Sequence, residues 1–260
     1  MIDSDVRPVT KGILTLVESQ TRKQVVVQPD RSLATLATVK ISRGDSPLHL
    51  IRYRPIPNEE PDYRICFQCG YVLRKFADPK ESDWGMAATH KGRELVRGLV
   101  LSNMGKQRKQ LPEQIVAISN QLLDGLLVHL LSVPVGLRIG QWLFDYYPEL
   151  RDLQVKTVHR EMVLNLQNRQ SRVRDLIPRK IYRTTQTINA AFAVFWADLL
   201  QESSFTDSYN EYLSDARNLL RFLDEIPDDG ATDMNLIDTW AKYLSISDWY
   251  EWIKTNQEMQ

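Results

Sequence analysis

Residues 48–76 constrain this chain more than any other stretch. LHLIRYR is rich in branched residues with partial alternation, and prolines 55, 57 and 61 follow it, so it reads as a strand running into a loop. Asp62, directly after Pro61, is the candidate N-cap of the next element. Ile65, Cys69, Val72 and Phe76 then recur at spacings of four, three and four, which is one buried stripe of an amphipathic helix. Phe67, Tyr71 and Arg74 mark a neighbouring face. A strand joined by a short loop to such a helix has to bury both against a common core.

The rest of the chain fits an α+β, mostly α protein. GILTLVE, KQVVVQ, LATLATVKI and LHLIRYR predict three or four antiparallel strands, separated by QPDRS and SRGDSP. Residues 1–57 are therefore expected to form a small N-terminal antiparallel β-sheet packed on a helical body. The helical core spans 58–200, with helices over 62–76, 86–103, 112–131, 149–169 and 181–202 and a short one, LRIGQWLFDYY, bracketed by Gly136 and Pro148. Asp78 and Pro79 end the first of these helices, and GKQRKQLPE joins the second to the third. Acidic C-terminal helices, 207–226, 233–244 and 247–254, complete the chain over 201–260.

Composition sets outer limits. With 260 residues, 43% hydrophobic and 25% charged, the chain buries a core without help from disulfides. Its two cysteines, Cys66 and Cys69, fit a reducing cytoplasm. MIDSDVRPVT lacks the basic and apolar regions of a signal peptide, and the run 122–135 contains Asp124 and His129 and stops at Pro134, so no membrane span is expected. Zero net charge hides a segregation: residues 1–197 carry 29 Lys and Arg against 19 Asp and Glu, whereas 198–260 carry 4 against 14. The acidic part folds back on a basic face or meets a different partner, or the segregation is ordinary surface variation.

Written position for position, CFQCGY stands where a zinc metallopeptidase has A-H-E-C-G-H. That motif needs two imidazoles at i and i+4 and a carboxylate that takes a proton from zinc-bound water. Phe67 and Tyr71 occupy the imidazole positions and Gln68 the carboxylate position. Through HLIRYRP, DYRICFQCGYVLR, RIGQWLFDYYPELRDLQ and IYRTTQTINAAFAVFWADLL, the chain resembles bacterial zincin-like proteins of the ImmA/IrrE type over residues 12–200. The resemblance implies a zincin-like helical domain and a third zinc ligand on a later helix, at Gly140 of RIG, also lost here. It thus implies a pseudoenzyme with no catalytic residue, metal or cofactor, acting as a protein-interaction or assembly subunit. Phe67 and Tyr71 should lie largely buried against the helix that contains Arg138 to Tyr147, closing the former ligand cavity.

Other readings compete for the same residues. C-x-x-C is half of a zinc knuckle without its second half, and it lies too far inside its helix for a thioredoxin-like pair. Two small buried residues is the simpler account. A hydrolase with a metal on His90 or His129 and Asp145 or Glu149 is an alternative. The basic segment 156–183 holds Lys156, Arg160, Arg169, Arg172, Arg174, Arg179, Lys180 and Arg183 against Glu161 and Asp175. Its Arg172, Arg174, Arg179, Lys180 and Arg183 are candidates for a partner surface, protein first and nucleic acid second. Trp240, Trp249, Tyr250 and Trp252 either dock the last helices or mark a partner site.

Overall fold

The computed structural model describes residues 6–42, 46–77, 84–104, 112–167, 174 and 176–254. The chain opens with helix α1 (Pro8–Thr21), where a strand was expected at GILTLVE. Pro8 sits at the first helical position, its ring pre-set for the turn, and Ile13, Leu14 and Val17 bury one face. Asp62 explains how that helix is held. Its Oδ1 accepts from the Arg7 backbone N–H at 2.7 Å and from Thr10 Oγ1 at 2.5 Å, so it satisfies the first turn of α1.

Strands β1 (Gln24–Pro29), β2 (Ala37–Lys40) and β3 (Leu48–Tyr53) form one sheet in the order β1-β3-β2. β2 pairs antiparallel with β3, but β1 pairs parallel with it, with Val27 opposite Ile51. The sheet is therefore mixed rather than wholly antiparallel. β2 is an edge strand, pairing among the described residues with β3 alone. Helix α2 (Asp62–Ala77) packs across this sheet and against α1. The expected helix end at Asp78 and Pro79 lies outside the described residues, as does most of GKQRKQLPE.

Strand β4 (Trp84–Ala88) and helix α3 (His90–Met104) replace the single helix expected over 86–103. Helix α4 (Pro112–Tyr146) is continuous through Pro134 and Gly136, so the two helices expected there are one. Pro134 leaves the Leu130 carbonyl without its intrahelical donor but does not end the helix, because both flanks are held in the core. By length and composition α4 could cross a bilayer; more than half of its most apolar window is buried, against α2, α3, α6 and α8. Helices α5 (Arg151–Gln167), α6 (Arg179–Leu200), α7 (Leu213–Glu225) and α8 (Asp233–Tyr243) follow. The last described segment is not a helix. Tyr250–Lys254 is strand β5, antiparallel to β4, with Met86 opposite Trp252. A single apolar cluster runs from Val6 to Tyr250, with Trp196, Tyr209 and Trp240 fully buried in it.

Acidic residues late in the chain meet basic ones earlier. Arg74 reaches Asp228 at 2.8 Å and Asp233 at 2.7 Å, Lys91 reaches Asp248 at 2.6 Å, and Arg183 reaches Asp215 at 3.7 Å. The charge segregation in the sequence is thus answered inside the molecule, by the fold-back alternative.

Candidate functional site

Phe67, Gln68 and Tyr71 lie together on the wall of one cleft of about 530 Å³. The spacing of one helical turn puts Phe67 and Tyr71 on one face of α2, and their rings meet edge to face at 5.5 Å. All three are half-buried rather than sealed in the core. The opposite wall is the outer edge of the sheet, where Leu36, Ala37, Thr38 and Val39 line the cleft in succession. α4 contributes Val128, Leu131 and Ser132, and α5 contributes Thr157 and Glu161. Tyr71, Val128, Leu131 and Ser132 also border a second recess of about 270 Å³, continued by Trp84, Met86, Met234 and Trp252. Exposed Val128 and partly exposed Leu131 stand where the two join.

The two aromatic rings meet α4, the helix that contains residues 138–146, at Ser132 and Gly136. Tyr71 Oη donates to the Ser132 carbonyl at 2.8 Å. A Cβ on Gly136 would lie 3.1 Å from Tyr71 Oη and 3.2 Å from Phe67 Cζ. Gly136 is therefore the α4 position that faces the pair. Gly140, one turn further along α4, meets a different neighbour: a Cβ there would lie 2.7 Å from Trp196 Cζ2. Its carbonyl accepts from Gln154 Nε2 at 2.8 Å. The structure brings together three of the four motif positions read from the sequence and leaves Gly140 on the α6 side of α4.

Burial sets the protonation of this site. The Tyr71 phenol is pushed up, first by desolvation and then by the charge of Glu161. The Glu161 carboxyl itself is pushed up to about 7, and desolvation is the sole cause. Glu161 retains partial exposure, so the effect comes from the packed walls of the cleft around it. Sequence reasoning noticed Glu161 only as an exception in a basic stretch. Its spacing from Thr157, one turn apart on α5, was the available signal.

Cys66 and Cys69 are fully buried, and burial pushes the Cys66 thiol up to about 12. Its Sγ lies 3.5 Å from Thr10 Oγ1. Such thiols are inert packing residues. Among the described residues no three His, Cys, Asp or Glu side chains converge on a point that could hold a metal ion. His129 lies beside Asn189 of α6, and Asp145 accepts from Gln141 at 2.9 Å, so the alternative metal set is not assembled.

The basic segment is gathered only in part. Arg172 lies outside the described residues. Lys180 Nζ donates to the Leu244 carbonyl at 2.7 Å, and Arg183 pairs with Asp215. Arg174, Arg179 and Arg183 border one shallow recess with Tyr182 and Glu211. Trp240 and Trp249 are buried, and Tyr250 Oη and Trp252 Nε1 both donate to Asp238 Oδ1, at 2.5 and 2.9 Å. These aromatics dock the last elements. Comparison with protein-family models, with curated proteins and with solved structures returns no match.

Proposed function

We propose that the protein is a zincin-like scaffold without zincin chemistry, whose cleft holds an extended segment of a partner protein. One observation carries the reading: the cleft that contains Phe67, Gln68 and Tyr71 is bounded by the outer edge of β2. An edge strand offers unpaired N–H and C=O groups to a further strand, and apolar recesses beside it take alternate side chains. Two aromatic rings and a neutral amide cannot bind and activate a metal-bound water. The same cleft therefore serves capture better than hydrolysis. Engagement of Lys180 and Arg183 inside the molecule favours a protein partner over nucleic acid.

Pools of fluorescent hexapeptides test this directly. The wild-type protein should bind a subset of them and return them uncleaved, as read by anisotropy and mass spectrometry. Ala37→Pro, which removes a backbone donor that β2 turns away from β3, should abolish binding while leaving the circular dichroism spectrum intact. Cleaved peptides, or binding indifferent to that substitution, would overturn the proposal.

A further inference from the structure

Glu161 is the one carboxylate among the residues that line the main cleft. Among the described residues it has no hydrogen bond and no ion pair. Its charge is felt by the phenols of Tyr63 and Tyr71 on α2, whose ionisation it opposes. One cation shares the cleft wall, and it is occupied. Arg64 donates to the Arg54 carbonyl at 2.7 Å and to the Glu60 carbonyl at 3.4 Å, with Glu59 at 3.9 Å. Arg160, next to Glu161 on α5, is held by Glu59 at 2.5 Å. β2 and α4 contribute no charged side chain to the lining.

A half-buried carboxylate among packed walls, given no counter-ion, is costly to ionise, and a bound cation reduces that cost. The walls around it indicate what carries the cation. Val39, Phe67 and Leu131 are apolar, whereas Gln68 and the Tyr71 phenol oxygen offer further acceptors. An aliphatic stem ending in a compact ammonium matches such a site, since its methylenes lie on the apolar wall and its charge meets a single carboxylate. We propose that Glu161 selects a lysine side chain projecting from the extended segment that lies along β2. This rests on the reading of the cleft given above and adds its specificity.

The probes are hexapeptide pools with randomised flanks and a fixed central Lys, Arg, norleucine or Glu. Wild-type protein should bind the Lys pool about tenfold more tightly than the norleucine pool, a difference of the size one charge-assisted contact supplies. Glu161→Gln should erase that preference and leave norleucine binding unchanged. Preference should grow from pH 6 to pH 8, as the carboxyl ionises, and the Glu161 carboxyl titration should move below 7 when the Lys pool is bound. Equal binding of Lys and norleucine pools that Ala37→Pro still abolishes would overturn the lysine assignment alone. An Arg pool bound more tightly than Lys, or a preference surviving in E161Q, would also overturn it. Binding by no pool would remove the cleft reading and this inference with it.

Discussion

Arg138 Nη1 lies 3.2 Å from Asp233 Oδ1, the same oxygen that Arg74 Nη2 reaches at 2.7 Å. Two cations from different helices thus close on one carboxylate at the start of α8. Arg138 is only 2% exposed, and it also donates to the Ile226 carbonyl at 2.6 Å and Thr232 Oγ1 at 3.1 Å. This junction fastens the acidic part of the chain to α2 and α4.

Removing Asp233 would take from the buried Arg138 guanidinium its closer carboxylate and leave it only the more exposed Asp228, at 3.5 Å. Breaking a buried pair on one side costs roughly 3–5 kcal/mol, far more than an exposed pair. Asp233→Ala should lower the urea midpoint accordingly, whereas Lys91→Ala, at an exposed pair with Asp248, should change it by less than about 1 kcal/mol. Equal losses from both would show that the junction contributes no more than a surface contact.

The two glycines of α4 should respond differently to a methyl group. Gly140→Ala drives a Cβ into the Trp196 ring and should cost roughly 1–3 kcal/mol by overpacking, despite the helix propensity gained. Gly136→Ala meets Tyr71 and Phe67 at a gentler 3.1–3.2 Å, and both rings reach toward the open cleft. It should cost less than the other substitution. Thermal unfolding of the pair decides the order, and the reverse order would contradict the placement of Gly140 against α6.

Acid should act on the fold through His49. This ring is fully buried beside Phe76 at 5.3 Å; its Nδ1 accepts from the Ser42 N–H at 3.0 Å, and its Nε2 lies 3.2 Å from Thr21 Oγ1. Desolvation, then the charge of Lys23, brings it from 6.5 down to about 4. A depressed folded-state value means the unfolded chain binds the proton more readily between those limits. The stability of the neutral ring is therefore complete above pH 6.5 and is lost as pH falls toward 4, by about 2–3 kcal/mol. His129, depressed to about 4 as well, acts in the same direction. Denaturation series at pH 7, 5 and 4 would show the fall, and NMR would show the His49 ring unprotonated at pH 5.

Glu161 works in the opposite sense. Its value is raised from 4.5 to about 7, so the folded chain holds the proton more tightly and ionisation across that window weakens the fold. Glu161→Gln should be neutral near pH 4 and stabilising by about 1–2 kcal/mol at pH 8, allowing for its partial exposure. A destabilised variant at pH 8 would mean that the carboxylate has a partner in the fold.

The legibility of this chain in its sequence follows the range of the forces involved. The α2 stripe and the grouping of Phe67, Gln68 and Tyr71 were readable because helical spacing alone sets them. GILTLVE suggested a strand because Ile13 and Val17 are β-branched, but Asp62, far along the chain, satisfies the first turn of a helix there. YEWIK became a strand because β4 offers it a partner, which no local pattern announces. Gly140 is absent from the cleft lining because one helical turn carries the chain along α4 from Phe67 and Tyr71 to Trp196 of α6. The shift at Glu161 was hidden for a related reason. It depends on walls supplied by β2, α2, α4 and α5 together.

The β4–β5 ribbon has a consequence for biosynthesis. Thr89, at its foot, donates to the carbonyl of Asp248, 159 positions later. Trp84 and Trp252, one from each strand, wall the recess that continues the cleft. Until the ribosome has released the second strand, the first has no partner and that recess lacks one side. A nascent chain stalled after α6 can present β2 but not the finished groove. The finished groove thus exists only in chains that have completed their longest-range pairing.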